Sequence, residues 1–165
     1  GAKRMVDFFK NQGIKTVILS GDRKEKVNLV ASELGIEEIH PKMTPEAKLD
    51  YIRSASENEN VCMVGDGIND GPALSLAQVG ISAKGASALA IDSARVVIMS
   101  KNEMEGIVQS YLVSKHTYLT IKQNLFWAFA YNVIAIPIAA LGFLNPMVAA
   151  LAMAFSDVIV IGNRV

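Results

Sequence analysis

Val61-Cys62-Met63-Val64-Gly65-Asp66-Gly67-Ile68-Asn69-Asp70-Gly71-Pro72-Ala73-Leu74 is the stretch of this 165-residue chain whose reading decides the fold. Its first four residues are a short apolar run, which predicts a buried strand. The run breaks into Gly65-Asp66-Gly67, where glycine permits a tight turn and close approach of the backbone to a ligand. Asp66 and Asp70 follow, with Asn69 beside the second, and Pro72 suits the first turn of a helix. Oxygen ligands at a strand-to-helix junction suit a hard cation such as Mg²⁺, usually shared with a substrate phosphate. An ordinary turn favours the same residue types. The context upstream, Ser20-Gly21-Asp22 and Lys48, decides for the phosphate–Mg²⁺ reading.

Working outward, the pattern alternates. Ala2 to Asn11 sets Met5, Val6, Phe8 and Phe9 at helical spacing, and Gly13 closes that helix. Thr16 to Leu19 is a β-branched run that ends in Ser20-Gly21-Asp22. Lys24 to Leu34 predicts a second helix closed by Gly35, and Ile36 to His40 a short strand. Thr44-Pro45 is a helix start, with Thr44 as cap and Pro45 at the first position, running to about Ser56. Beyond the opening stretch, a helix is expected from Pro72 to Ala77. Val79 to Ser82 and Val96 to Met99 are further strand candidates, separated by a helix around Ser87 to Ala94.

Such alternation predicts an α/β fold, a parallel sheet wrapped on both faces. In these sheets a ligand sits outside the carboxyl ends of the strands. Ser20-Gly21-Asp22 and Gly65-Asp66-Gly67 each follow a strand, so both belong on one rim. There Ser20 and nearby N–H groups can donate to phosphoryl oxygens, and Lys48 can neutralise charge on a transferring phosphoryl group. Asp66 and Asp70 can hold Mg²⁺ directly or through water. None of these residues is an evident nucleophile, so the site is incomplete. His40 and His116 are isolated and read as surface residues. Cys62, the single cysteine, excludes an internal disulfide and reads as small core packing.

Composition adds a second region. Sixteen basic and 16 acidic residues balance, which leaves no polyanion-binding footprint and argues against a nucleic-acid partner. Yet no charged residue occurs from Leu125 to Ser156. Leu125 to Leu144 is long enough for a bilayer span, Asn145-Pro146 is a turn, and Met147 to Ile161 is a second, shorter apolar segment. Asn102 to Lys122 has helical spacing and reads as a stalk. Lys115 and Lys122 before the hairpin and Arg164 after it place both ends, and the soluble part, on the cytoplasmic side. Tyr131, Asn132, Met153, Ser156 and Asp157 are polar or soft groups within the apolar segments, where such groups commonly line a pathway. The chain opens at Gly1 already inside an amphipathic pattern, so further sequence upstream is expected.

Val64 to Leu74 resembles the hinge motif of P-type cation-transporting ATPases, whose phosphorylation domain has the haloacid dehalogenase (Rossmannoid) fold. Ser20-Gly21-Asp22 is similar to that family's Thr-Gly-Asp motif, with the hydroxyl kept. Pro45-Glu46-Ala47-Lys48 resembles the segment whose lysine stabilises the phosphorylated aspartate. Gln123 to Asn132 and Ile136 to Ala140 look like the penultimate span of the heavy-metal subgroup, most of all its copper(I) pumps. Those pumps use a Tyr-Asn pair and a Met-x-x-Ser-Ser motif in the metal pathway; here the latter reads Met153-Ala154-Phe155-Ser156-Asp157. The final Asp leaves the choice between copper(I) and a divalent ion open.

The resemblance implies three parts: residues 1–101 as part of a phosphorylation domain, 102–124 as stalk, and 125–165 as a two-helix transmembrane hairpin. It implies Mg²⁺ as cofactor, ATP as substrate held mainly by a domain outside this chain, and a transported heavy-metal ion. The remaining partners are the lipid bilayer and the rest of a pump: the actuator domain, the nucleotide domain, the earlier spans and the segment with the phosphorylated Asp. On this reading the chain alone is inactive. Two others compete: a membrane-anchored phosphatase of the same fold, and a non-catalytic truncated homologue that binds a partner or a metal.

Overall fold

Caps and glycines set the element ends in the computed structural model, which describes residues 1–66, 68–83, 87–141 and 162. Helix α1 (Ala2–Asn11) leads to Gly13 at φ +73°. Strand β1 (Val17–Leu19) follows, then α2 (Lys24–Leu34), which stops at Gly35 in the left-handed region. Strand β2 (Glu38–His40) precedes α3 (Pro45–Ser56). The hydroxyl of Thr44 accepts from the Ala47 N–H at 3.2 Å, the cap expected there. Strand β3 (Cys62–Gly65) enters a single 3₁₀ turn (Ile68–Asp70) and then α4 (Gly71–Leu76). Strand β4 (Val79–Ala83), α5 (Ala88–Ser93, capped by Ser87) and β5 (Val96–Ile98) complete the alternation. Helix α6 (Glu103–Ala140) follows.

All strand pairs are parallel, as the alternation predicts, but they fall into two hydrogen-bonded sheets rather than one. One pairs β1 with β2; the other has the order β3-β4-β5. Strands β1 and β3 are therefore both edges among the described residues. That corrects the expectation of a buried strand at Val61–Val64. Only Met63 is buried there, while Cys62 is exposed and Val64 is 49% exposed. Alternation along β3 sends Met63 to the side covered by helices and its neighbours to the other side, so Cys62 is not core packing.

Two apolar clusters hold the first of two compact units, Gly1–Gln109. Ile52, Met63, Ala73, Leu74, Ala77 and Ala90 pack on one side of β3, with Leu19 and Tyr51 against them. Ile81, Ile98 and Ile107 form the other, with Met5 and Phe9. Burying a side chain such as Leu74 completely contributes about 1.5–3 kcal/mol. Gly80 lets α4 lie this close, since a side chain there would collide with the Leu74 carbonyl. The core sits directly beneath the turn that bears Asp66 and Asp70.

The second unit runs from Ser110 to Val165. Within it α6 continues without interruption to Ala140, so the helix shows no break where stalk and span were expected to meet. Tyr111 and Tyr118 each lie under a lysine one turn on, Lys115 and Lys122, at 5.7 and 5.3 Å. From Leu125 the exposed side chains are mostly apolar, Phe126, Trp127, Phe129, Val133, Ile134 and Ile136 among them, with Asn132 a polar exception. No helix among the described residues is long and apolar enough to cross a membrane. The helical part of the apolar run, 125–140, is shorter than the roughly 20 residues a span needs, and the expected second segment lies outside the described residues.

Candidate functional site

Asp70 ends the 3₁₀ turn after β3, and Lys48 stands in the first turn of α3. The two are 22 residues apart in sequence, yet the Lys48 ammonium donates to Asp70 Oδ1 at 2.8 Å. Both side chains are largely buried, at 15% and 13% exposure. An ion pair so shielded is screened little by salt and loses most of its hydration, so it persists only with good geometry. Two local devices supply that geometry. Thr44 fixes the start of α3. Gly65 makes room for the carboxylate, because a Cβ there would lie 3.0 Å from Asp70 Cβ and 3.1 Å from its Oδ2.

Asp66 is exposed at the carboxyl end of β3, and its carbonyl accepts from the Ser87 N–H at 3.1 Å. Ser87 also caps α5 through its hydroxyl. It thus anchors the start of the Asp66 turn, a role the sequence reading did not assign to it. Asn69 is exposed on the same turn, and Gly67 lies outside the described residues.

Ser20, Gly21 and Asp22 close β1. The Ser20 hydroxyl accepts from the Asp22 N–H at 3.1 Å, folding the loop on itself. Two backbone bonds hold this loop to the segment after β2: Lys42 N–H to the Asp22 carbonyl and Met43 N–H to the Ser20 carbonyl, each at 2.9 Å. The Asp22 carboxylate pairs with Lys26 on α2 at 2.9 Å. So Lys48 and Asp70 are brought into contact, while Ser20 and Asp22 spend their side-chain contacts on their own loop and helix. Of the apolar-segment residues, Asn132 donates to the Ala128 carbonyl of its own helix at 2.8 Å. Tyr131 lies in α6, and Met153, Ser156 and Asp157 lie outside the described residues.

The donor set fits Mg²⁺ of the phosphate-sharing kind. Among the described residues no group of three or more His, Cys, Asp or Glu could form an all-protein cage. Two carboxylates from one turn are what Mg²⁺ takes when water and phosphate complete its shell. Asp66 is exposed, and Asp70 keeps Oδ2 clear of the lysine bond.

A separate polar network lies on β2 and was not foreseen. Glu38 accepts from Tyr51 at 2.6 Å and pairs with Lys15 and with His40 at 3.0 Å. His40 is therefore not isolated, and its ring lies 4.7 Å from that of Tyr51. The hydrogen bond from Lys15 does most to hold the Glu38 carboxyl down at about 2, with Tyr51 and His40 adding to it. Burial and the bond to Glu38 push the Tyr51 phenol up to about 12.

The chain resembles known proteins in sequence and in fold. The haloacid dehalogenase-like hydrolase family matches residues 1–78, and a second family of that description matches 52–110. A cation-transporting P-type ATPase B of Mycobacterium bovis is 40% identical over 98% of this chain, and a copper-transporting ATPase 2 of Rhizobium meliloti 45% identical over 92%. The crystal structure of a zinc-transporting PIB-type ATPase in an E2.Pi state superposes with a TM-score of 0.90 at 30% identity, over 98% of this chain. The chain spans only 22%, 19% and 26% of those three proteins. Its α/β fold with parallel sheets is haloacid dehalogenase-like. Over nearly its whole length, the chain is similar in sequence to P-type ATPases named as cation-, copper- and zinc-transporting.

Proposed function

We propose that this chain supplies the charge-handling half of a phosphoryl-transfer site in an ATP-driven heavy-metal pump. The observation that carries the reading is the shielded Lys48–Asp70 pair beside the exposed Asp66. Lys48 neutralises charge on a phosphoryl group carried by an aspartate outside this chain, and Ser20 steadies its oxygens. Asp66 and Asp70 hold Mg²⁺, with Asn69 on the same turn. When bound, Mg²⁺ supplies charge neutralisation at the phosphoryl oxygens. The paired edges of β1 and β3 support an external nucleophile. A parallel strand entering between them would end on the rim between Ser20 and Asp66.

Residues 1–101 act as part of the phosphorylation domain, 102–124 as stalk and 125–165 as a two-helix membrane hairpin. The outward apolar side chains of α6 beyond Leu125 support the membrane assignment, and Lys115, Lys122 and Arg164 a cytoplasmic soluble part. Tyr131, Asn132, Met153, Ser156 and Asp157 form the candidate ion pathway. Met153 favours copper(I), while the hard carboxylate of Asp157 favours a divalent ion. The relatives include copper and zinc transporters and do not favour the phosphatase and truncated-homologue readings.

Phosphoenzyme formation by the whole protein, compared across Cu(I), Zn²⁺, Co²⁺ and Mn²⁺, tests the proposal. One metal class should stimulate it strongly, and Asp157→Ser should move the preference towards Cu(I). Phosphoenzyme that forms equally without any metal would sink the pump reading. Metal-stimulated ATP turnover by the chain alone would sink the assignment of the nucleophile elsewhere.

A further inference from the structure

Ser82, on β4, has no exposed surface, and its hydroxyl has no hydrogen-bond partner among the described residues. A buried hydroxyl without a partner costs stability unless something satisfies it in another state. Its position shows what that could be. Ser82 is the register partner of Gly65, and parallel partners present their side chains on the same face of a sheet. On that face Asp70 lies over Gly65, in the place a side chain at position 65 would occupy. Asp70 is thus flanked by Lys48, bonded to its Oδ1, and by the strand position that carries Ser82. The same face of β4, two residues earlier, is covered by α4 at Gly80.

We infer that Ser82 is a positioning residue for Asp70: its hydroxyl donates to Asp70, directly or through one buried water, when that carboxylate turns to take Mg²⁺. The inference rests on the proposed Mg²⁺ role of Asp70. It accounts for a polar group that packing alone would not select, since alanine would fill the same place without an idle hydroxyl. Groups of this kind behind a metal ligand commonly change metal affinity tenfold or more.

Mg²⁺ binding by the whole protein in the presence of inorganic phosphate, followed calorimetrically with MgCl₂ as the probe, tests it alongside thermal unfolding without metal. Ser82→Ala is expected to weaken Mg²⁺ about tenfold while leaving the melting temperature in EDTA unchanged or higher. Ser82→Thr, which restores the hydroxyl, should recover most of the affinity. Asp70→Asn separates the two layers of the argument. If Asp70→Asn leaves Mg²⁺ binding intact, or the wild-type protein binds none, the Mg²⁺ reading fails and the inference with it. If Asp70→Asn abolishes binding and Ser82→Ala does not alter it, only the role of Ser82 is overturned. A Ser82→Ala protein that melts lower in EDTA and binds Mg²⁺ as well as wild type would assign Ser82 to structure alone.

Discussion

Glu38 and Asp70 each face a lysine, and they differ in what is left over. Glu38 is saturated: Lys15 takes one oxygen, and Tyr51 and His40 share the other. Asp70 gives Lys48 one oxygen and keeps the second uncommitted among the described residues, over a glycine that leaves it space. The first arrangement ties β2 to α3 and to the segment before β1, and has nothing further to offer a ligand. The second, on the proposed Mg²⁺ reading, has an oxygen left for a ligand, four residues along the turn from exposed Asp66. On the proposed reading, an unspent acceptor in a shielded place, and not ionic contact alone, distinguishes the functional carboxylate.

The largest test of that contrast is Lys48→Met. In the whole protein it should lower phosphoenzyme formation by about a hundredfold or more, the scale for removing a preorganised charge from a transferring group. Glu38→Gln should leave phosphorylation within about twofold, because it changes a tie within the scaffold. Equal losses from the two variants would erase the distinction. Lys48→Met should also destabilise the chain by roughly 1–3 kcal/mol, since a largely buried carboxylate loses its partner. Denaturant unfolding of the chain measures that part.

Gly65→Ala comes next. Its Cβ would press on Asp70 Cβ and Oδ2 from 3.0 and 3.1 Å, so the carboxylate must shift. The expected cost is about 1–3 kcal/mol, together with loss of the Lys48 bond, visible as a moved Asp70 in a crystal structure of the variant. Gly21→Ala, whose nearest contact is the Met43 carbonyl at 3.4 Å, should be close to neutral. An Asp70 that stays in place in Gly65→Ala would show that the turn, not the glycine, sets the carboxylate.

How much of this was legible in the sequence varies by element, for physical reasons. Helix α3 could be read almost to the residue, because Thr44-Pro45 is a local instruction that needs no distant partner. The same holds for α2, which Gly35 closes. Membership of Lys48 and Asp70 in one site was legible from motif resemblance, but their direct bond depends on α3 packing beside β3, which spacing does not encode. The split into two sheets was not visible, since strand pairing is non-local and each short apolar run reads alike. For the same reason Cys62 and Val64 read as buried: a run of apolar residues does not say whether both faces of its strand are covered. His40 read as an isolated surface residue, and Glu38 and Tyr51 drew no reading, because β2 and α3 bring the three together only in the fold.

Acid titration sharpens the comparison from the side of the saturated carboxylate. Its three donors hold the Glu38 carboxyl at about 2, below the 4.5 of an unperturbed glutamate. A depressed folded value contributes stability that is present above about 4.5 and is lost as pH falls towards 2. Unfolding midpoints measured from pH 6 down to pH 2 should therefore fall, and should fall less steeply in Glu38→Gln. The Tyr51 phenol works in the opposite direction. Its value of about 12 contributes stability that is complete below 10 and lost as pH rises through 12. Identical acid profiles for wild type and Glu38→Gln would mean the network is not formed in solution.

The smallest expected effect isolates scaffold from chemistry at a single helix. Thr44 accepts from the Ala47 N–H, and Lys48 is the next residue along. Thr44→Ala should cost about 1 kcal/mol of stability, and Thr44→Ser should restore it because the hydroxyl returns. Fraying at the start of α3 would loosen the lysine without removing it, so phosphoenzyme formation should drop only a few-fold. The ratio between this loss and that of Lys48→Met then measures how much of the lysine's placement comes from the helix and how much from Asp70. If Thr44→Ala costs as much activity as Lys48→Met, the bond to Asp70 does not hold the lysine by itself, and the poised carboxylate depends on a cap 26 residues away in sequence from its own position.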